Sequence, residues 1–270
     1  MILRVRLARE LAVIGAVLAL LALASFAGQR LLFPRHAPAP DIAQSLDDAL
    51  GPLMRQQIRS TQWQVAKPEV DEAFAAIMGR LLPAMPGRPV KVEVLVIDSP
   101  EINAFTLPGR VICVDTGLIR ELKSAEEMAA VLGHELGHVA NRDPLTLLAR
   151  QMGMSALAAA ATGGQGAPFL SSMAQMLVNV HYGREAEDRA DAYSVHLLAR
   201  AGLPPDSFGK ALALIGEAAP KRPGLLVYID PHSPLDQRIA RAGEQARQEQ
   251  FAPRKLPVDW KSLLEALPHS

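Results

Sequence analysis

The pentapeptide His134-Glu135-Leu136-Gly137-His138 narrows the folds open to this chain more than any other stretch of it. An α-helix turns by about 100° per residue, so two histidines four apart stack on one face and can offer two imidazole nitrogens to one metal ion. Glu135 points to one side of that pair, where its carboxylate could take a proton from a water activated by the ion. The alternative is two surface histidines on an ordinary helix, and the neighbouring sequence argues against it. Ser124-Ala125-Glu126-Glu127 is a capping box that opens a helix, with Ser124 as N-cap. That helix is expected to stop near Asp143-Pro144, since the residue before a proline avoids the α region. Val131, His134 and His138 share one stripe of a largely apolar helix, so the histidines face inward.

A third ligand is expected from a second long helix. Phe169, Met173, Met176, Leu177 and Val180 mark its core stripe, and the helix continues through Arg184 to Asp191. Carried on from Val180, the stripe reaches Glu187, Asp191, Val195 and Leu198. Two carboxylates four apart thus interrupt an apolar face, where like charges repel and a buried carboxylate needs a partner. One Zn2+ ion on Glu187, with Asp191 hydrogen-bonded to a ligand imidazole, resolves both problems. The competing reading is a solvated charged face with Arg184 and Arg189 as mates.

Further segments carry a family resemblance: Asp98-Ser99-Pro100-Glu101-Ile102-Asn103-Ala104-Phe105, Leu107-Pro108-Gly109-Arg110, Asp115-Thr116-Gly117-Leu118, Glu126 through Glu135, Gly183-Arg184 through Asp191, and His232-Ser233-Pro234 leading to Arg238. With them the chain resembles the M48 family of membrane-associated zinc metallopeptidases, in which H-E-x-x-H is followed by E-x-x-x-D. The match covers roughly Val90 to Arg241. The resemblance implies an α+β, predominantly helical, zincin-like metallopeptidase domain with a small β-sheet or hairpin and an active-site helix. It implies His134, His138 and Glu187 as ligands of one Zn2+ per chain and Glu135 as catalytic base. His232, in Asp230-Pro-His-Ser-Pro, is the candidate for oxyanion donor or for a reversible gate over the metal. Two departures stand out: the family often has a Gly pair where this chain has Gly109-Arg110, and often Ser where Gly183 stands.

The activity expected is zinc-dependent endopeptidase cleavage, with extended or unfolded polypeptide laid along the hairpin edge at Asn103, Ala104 and Phe105 by backbone hydrogen bonds. That mode suits misfolded or misassembled membrane and envelope proteins. The rival is a zinc-stabilised chaperone or adaptor of the envelope, against which Glu135 argues, because a structural site needs no general base. An exopeptidase would need an anchor for a substrate terminus, and no dedicated motif for one is present.

Composition bounds the rest. The 270 residues allow one sizeable core, and 28 basic against 28 acidic side chains give nothing that favours nucleic acid. Aromatics at 4%, with abundant Ala and Leu, suit a helix-rich fold, and the single Cys113 allows no internal disulfide. Arg4, Arg6 and Arg9 precede the apolar run Leu11 to Ala27, so residues 1–33 read as a signal sequence or membrane anchor. A Pro-rich linker, 34–40, then leads into the catalytic domain, 41–270. Positive charge ahead of the run places that domain on the periplasmic side of the cell membrane. Ser25 and Ala27 fit a cleavage site, which makes release into the periplasm the alternative. Helices are expected at 41–60, 68–82, 206–217, 235–249 and 260–267, a strand at 90–97, and a hairpin from 102–106 and 111–115. The apolar stretch Leu145 to Ala161, broken after Thr162, reads either as a packed helix or as a lid or membrane-touching hairpin.

Overall fold

Every residue of the strand Val111–Asp115 (β3) is buried, so this strand needs cover on both faces. It is the middle strand of a sheet ordered β1-β3-β2, with Glu93–Ile97 (β1) parallel to it and Ala104–Leu107 (β2) antiparallel. The computed structural model describes residues 40–87, 90–164, 166–178, 182–218 and 234–268. The amino-terminal apolar run, most of the linker and His232 lie outside them. Among the described residues the helices are Pro40–Thr61 (α1), Pro68–Leu81 (α2), Thr116–Glu121 (α3), Ala125–Asn141 (α4), Asp143–Met152 (α5), Met154–Ala161 (α6), Ala167–Val178 (α7), Arg184–Ala201 (α8), Ser207–Ala218 (α9), Leu235–Gln248 (α10) and Trp260–Ala266 (α11). A predominantly helical α+β fold with a small sheet is therefore observed, as expected.

The alternation of the strands divides the interior in two. Val96, Ala104, Ile112 and Val114 join a core built with α2, α4, α8 and α9, including Met128, Val131, Leu136, Val195 and Phe208. Leu95, Ile97, Phe105, Leu107, Val111 and Cys113 join a second core with α1, α5, α6 and α7. Leu145, Leu148, Leu157, Met173 and Leu177 are buried in this second core, so packing accounts for much of the apolar character of residues 145–178. Among the described residues no helix is long and apolar enough to cross a membrane.

Three local outcomes refine the expectations. The hairpin turn puts Gly109 at φ 81° and Arg110 at φ 61°. Arg110 thus occupies a left-handed conformation that costs a side-chain-bearing residue about 1 kcal/mol, a physical reason for a Gly pair at such a turn. Here α1 holds the turn instead: the Gly109 N–H donates to Asp47 Oδ1 at 2.8 Å, and Arg110 pairs with Asp47 and Asp48. Next, α4 begins with the expected capping box but ends at Asn141, because Arg142 turns left-handed at φ 54°. Pro144 then sits in the first turn of α5, where its missing N–H has no cost. Finally, the long helix expected from Phe169 through Asp191 is two helices. Gly183, at φ 88°, stands outside helical space directly before α8.

Asp115, at the end of β3, is buried at 3% exposure. Burial, reinforced by the charge of Glu101, pushes its carboxyl up to about 8. A carboxyl whose folded value lies above its unfolded value keeps its proton longer in the folded state. The stability it contributes is therefore full below about pH 4 and is lost as pH rises towards 8. Asp115→Asn should flatten the fall in urea-measured stability between pH 5 and pH 8, by an amount on the order of a few kcal/mol at pH 8. An identical slope in wild type and variant would contradict the burial argument.

Candidate metal centre

Residues 127–139 of α4 are buried without interruption, so this helix is surrounded rather than merely striped. Its glycines let α8 come close: a Cβ at Gly133 would stand 3.0 Å from Ser194 Oγ, and one at Gly137 3.0 Å from the Ala190 Cα. The two helices place His134 and His138 opposite Glu187 and Asp191, all four buried. Glu187, Asp191, Val195 and Leu198 all face inward, along the stripe traced in the sequence.

The two imidazoles are held from behind. His134 Nδ1 lies 2.9 Å from Asp191 Oδ1, and His138 Nδ1 lies 2.8 Å from Asp143 Oδ2. Each carboxylate fixes a proton on Nδ1 and leaves a lone pair on Nε2. The two Nε2 atoms are 3.1 Å apart, with Glu187 oxygens 3.5 Å from the first and 3.8 Å from the second. One donor atom from each of His134, His138 and Glu187 falls within 4.8 Å of the others. Three converging lone-pair donors repel one another unless a cation stands among them. Two imidazoles and a carboxylate are also the donor set that suits zinc while keeping a coordination position open. The surroundings favour positive charge here. Burial alone would depress His138, yet its bond to Asp143 and the charges of Glu135, Glu187 and Asp143 raise it.

Asp191 is anchored in turn. Arg238 of α10, 1% exposed, forks onto it with Nε at 2.8 Å and Nη2 at 2.7 Å. Burial would raise Asp191, but the bonds from His134 and Arg238 outweigh it and hold the carboxyl at about 2. Arg238 entered the sequence reading only as the end of the segment that follows His232-Ser233-Pro234. Its fork geometry makes it the support of Asp191.

Glu135 turns toward the sheet, where the Thr106 hydroxyl donates to its Oε2 at 2.7 Å. Phe208 stacks on His134 at 5.7 Å between ring centroids, and Tyr182 covers His138 at 4.3 Å. The Tyr182 hydroxyl, pushed well up by burial and the nearby carboxylates, stays protonated and donates to the Thr106 carbonyl at 3.3 Å.

The strand register shows which edge groups are on offer. The Asp115 N–H donates to the Asn103 carbonyl, so Asn103, Phe105 and Leu107 turn their backbone groups toward β3. Ala104 and Thr106 turn theirs to the other edge. Of the three residues expected to bind substrate, Ala104 alone has that orientation. The Asn103 amide donates to the Val178 carbonyl at 3.2 Å, and Phe105 packs into the second core. Tyr193 packs half-buried beside Gly137. Sequence reasoning missed Asp143 and Thr106. Asp143 had a usable signal, an acidic residue just after the histidine helix and immediately before a proline. Thr106 had none, because its role depends on a contact with a residue 29 positions away.

The sequence profile of peptidase family M48 matches residues 68–246. Over 113 residues the chain is 34% identical to the mitochondrial metalloendopeptidase OMA1 of Arabidopsis thaliana, covering 42% of this chain and 23% of that protein. It is 31% identical over 193 residues to a protease HtpX homolog of Herminiimonas arsenicoxydans, covering 55% and 64% respectively. It is 25% identical over 221 residues to a putative beta-barrel assembly-enhancing protease of Vibrio cholerae, covering 76% and 45%. The chain thus spans less than two thirds of each of these relatives.

Replacing Arg238 with methionine keeps most of the volume but leaves Asp191 charged and buried with a single imidazole partner. Such uncompensated charges cost about 3–5 kcal/mol, so Arg238→Met should lower the urea midpoint of the metal-free protein markedly. A loss below about 0.5 kcal/mol, the size typical of a surface change, would show that the pair does not support the site.

Proposed function

The chain belongs to peptidase family M48, and from that premise we propose that it is a zinc-dependent endopeptidase in which His134, His138 and Glu187 hold the ion. One observation carries the reading: two Nε2 atoms 3.1 Å apart face each other beside the Glu187 carboxylate, with Glu135 next in sequence, held by Thr106 and near enough for its charge to act on His138. The ion, when bound, supplies Lewis acidity that polarises a peptide carbonyl and lowers the pKa of water. Glu135 takes the proton of the attacking water at its carboxylate and returns it to the leaving amine. Asp191 and Asp143 keep the two imidazoles in the tautomer that presents Nε2. Ala104 turns its backbone N–H and C=O to the edge of β2 away from β3, along which an extended substrate can lie as an added strand once that edge is uncovered. Strand addition reads chain shape more than side chains, which supports unfolded or extended polypeptide as substrate.

We further propose that the substrates are misfolded or misassembled envelope proteins. The names of two relatives, one an assembly-enhancing protease and one an HtpX homolog, support that reading. The basic residues ahead of Leu11 to Ala27 support a membrane attachment with the domain on the periplasmic side.

Zinc analysis and casein digestion on four proteins test the mechanism. Glu135→Gln should retain zinc and lose cleavage by several orders of magnitude. Glu187→Ala should lose both zinc and cleavage, whereas Glu185→Ala, on the exposed side of α8, should keep both. Cleavage by Glu135→Gln at the wild-type rate would sink the mechanism, and equal zinc in the Glu185 and Glu187 variants would show the third ligand to be misassigned.

A further inference from the structure

We propose that Thr106 is a positioning residue for Glu135, its hydroxyl fixing one carboxylate oxygen so that the other is left for proton transfer. The inference rests on the peptidase reading of Glu135 given above. Thr106 is 1% exposed, and its Oγ1 lies 2.7 Å from Glu135 Oε2 and 3.3 Å from the Glu135 carbonyl oxygen. A hydroxyl has one proton to give, and the shorter, charge-assisted bond takes it. Glutamate ends in a broad, nearly two-fold torsion, so its carboxylate swings readily about the last bond unless something holds it. Thr106 holds it. The bond also withdraws Oε2 from competition, leaving Oε1 as the proton acceptor.

The same residue is itself held firmly in the sheet. The backbone N–H of Thr106 points to the edge of β2 that faces away from β3, and its carbonyl on that edge accepts from the Tyr182 hydroxyl. Its side chain, on the α4 face of the sheet, reaches the base. The general base is therefore referenced directly to β2, a strand fixed on both sides, which sets the position of the carboxylate without a long chain of intermediates. Misplacement of such a group by about 1 Å costs on the order of a hundredfold in rate. Valine preserves the shape of threonine and removes the donor; serine keeps the donor.

The test uses the full chain, zinc-loaded, with casein and a fluorogenic unfolded peptide as substrates. Thr106→Val should lower kcat by about ten- to hundredfold while KM and zinc content stay within about twofold. Thr106→Ser should restore most of the loss, which a purely space-filling role would not explain. A second readout needs no catalysis. In metal-free protein, Thr106→Val, Glu135→Ala and the double variant form a cycle whose unfolding constants should depart from multiplicativity by about tenfold. Thr106→Ala replaces the valine variant in both arms should that one fail to fold. Wild-type kcat in Thr106→Val, with Glu135→Gln inactive, would overturn the inference and leave the peptidase reading standing. Multiplicative unfolding constants would overturn it as well. Cleavage by Glu135→Gln at the wild-type rate would bring down the peptidase reading, and this inference with it.

Discussion

Two imidazoles pinned by carboxylates at Nδ1, with their Nε2 lone pairs 3.1 Å apart, are the constraint around which the rest of the structure is arranged. Neither ring can rotate to relieve the repulsion without breaking a buried hydrogen bond. The requirement propagates outward. Asp191 must sit on α8 at the height of His134, so α8 must run close along α4. That approach needs Gly133 and Gly137 where any larger residue would meet Ser194 and the Ala190 backbone. Asp143 must start a new helix directly below His138, so the chain must turn within one residue, and Arg142 takes a left-handed conformation to do it. The cost of that conformation, about 1 kcal/mol, is small beside a histidine left without its partner.

The sheet matters for what it holds in place. Covered on both faces, it is a rigid floor, and β2 brings Thr106 under Glu135 while turning alternate backbone groups outward. A half-exposed sheet would leave β2 to be fixed by its pairing with β3 alone. The second core of α1, α5, α6 and α7 supplies the cover that prevents this. Asp47 of α1 also clamps the turn between β2 and β3. A helix remote in sequence from the metal cluster thus sets the position of the strand beside it.

Much of this was legible in the sequence, for a physical reason. Helical periodicity is strict, so the spacing of His134 to His138 and of Glu187 to Asp191 placed each pair on one buried face, and the structure has them there. The capping box at Ser124 and the hairpin around Leu107-Pro108-Gly109-Arg110 are local signals, and both are present. Non-local contacts were not legible: Thr106 with Glu135, Arg238 with Asp191, Asp47 with Gly109. The single long helix expected from Phe169 onward failed for a related reason. Its apolar stripe was read as one face, but Met173 and Leu177 belong to the core on one side of the sheet and Val195 and Leu198 to the core on the other. No straight helix can serve both, so the chain leaves helical space before Arg184, and Gly183 can adopt the φ of 88° found there.

Charge accounting explains why the centre calls for a divalent cation rather than a further proton or a second arginine. Glu135, Asp143, Glu187 and Asp191 are buried carboxylates packed around two imidazoles, and Arg238 is the one fully buried guanidinium among the described residues that meets them. Arg189 reaches Asp143 at 3.5 Å but stays about half exposed, where solvent screens it. Four negative charges against one positive leave an excess of three in a region of low dielectric. A proton on one histidine removes a single unit and ends one of the two lone pairs. An ion of charge two removes two units and leaves both Nε2 atoms as donors. It offsets the carboxylate excess and bridges the facing imidazoles together, which a proton on one histidine alone does not do.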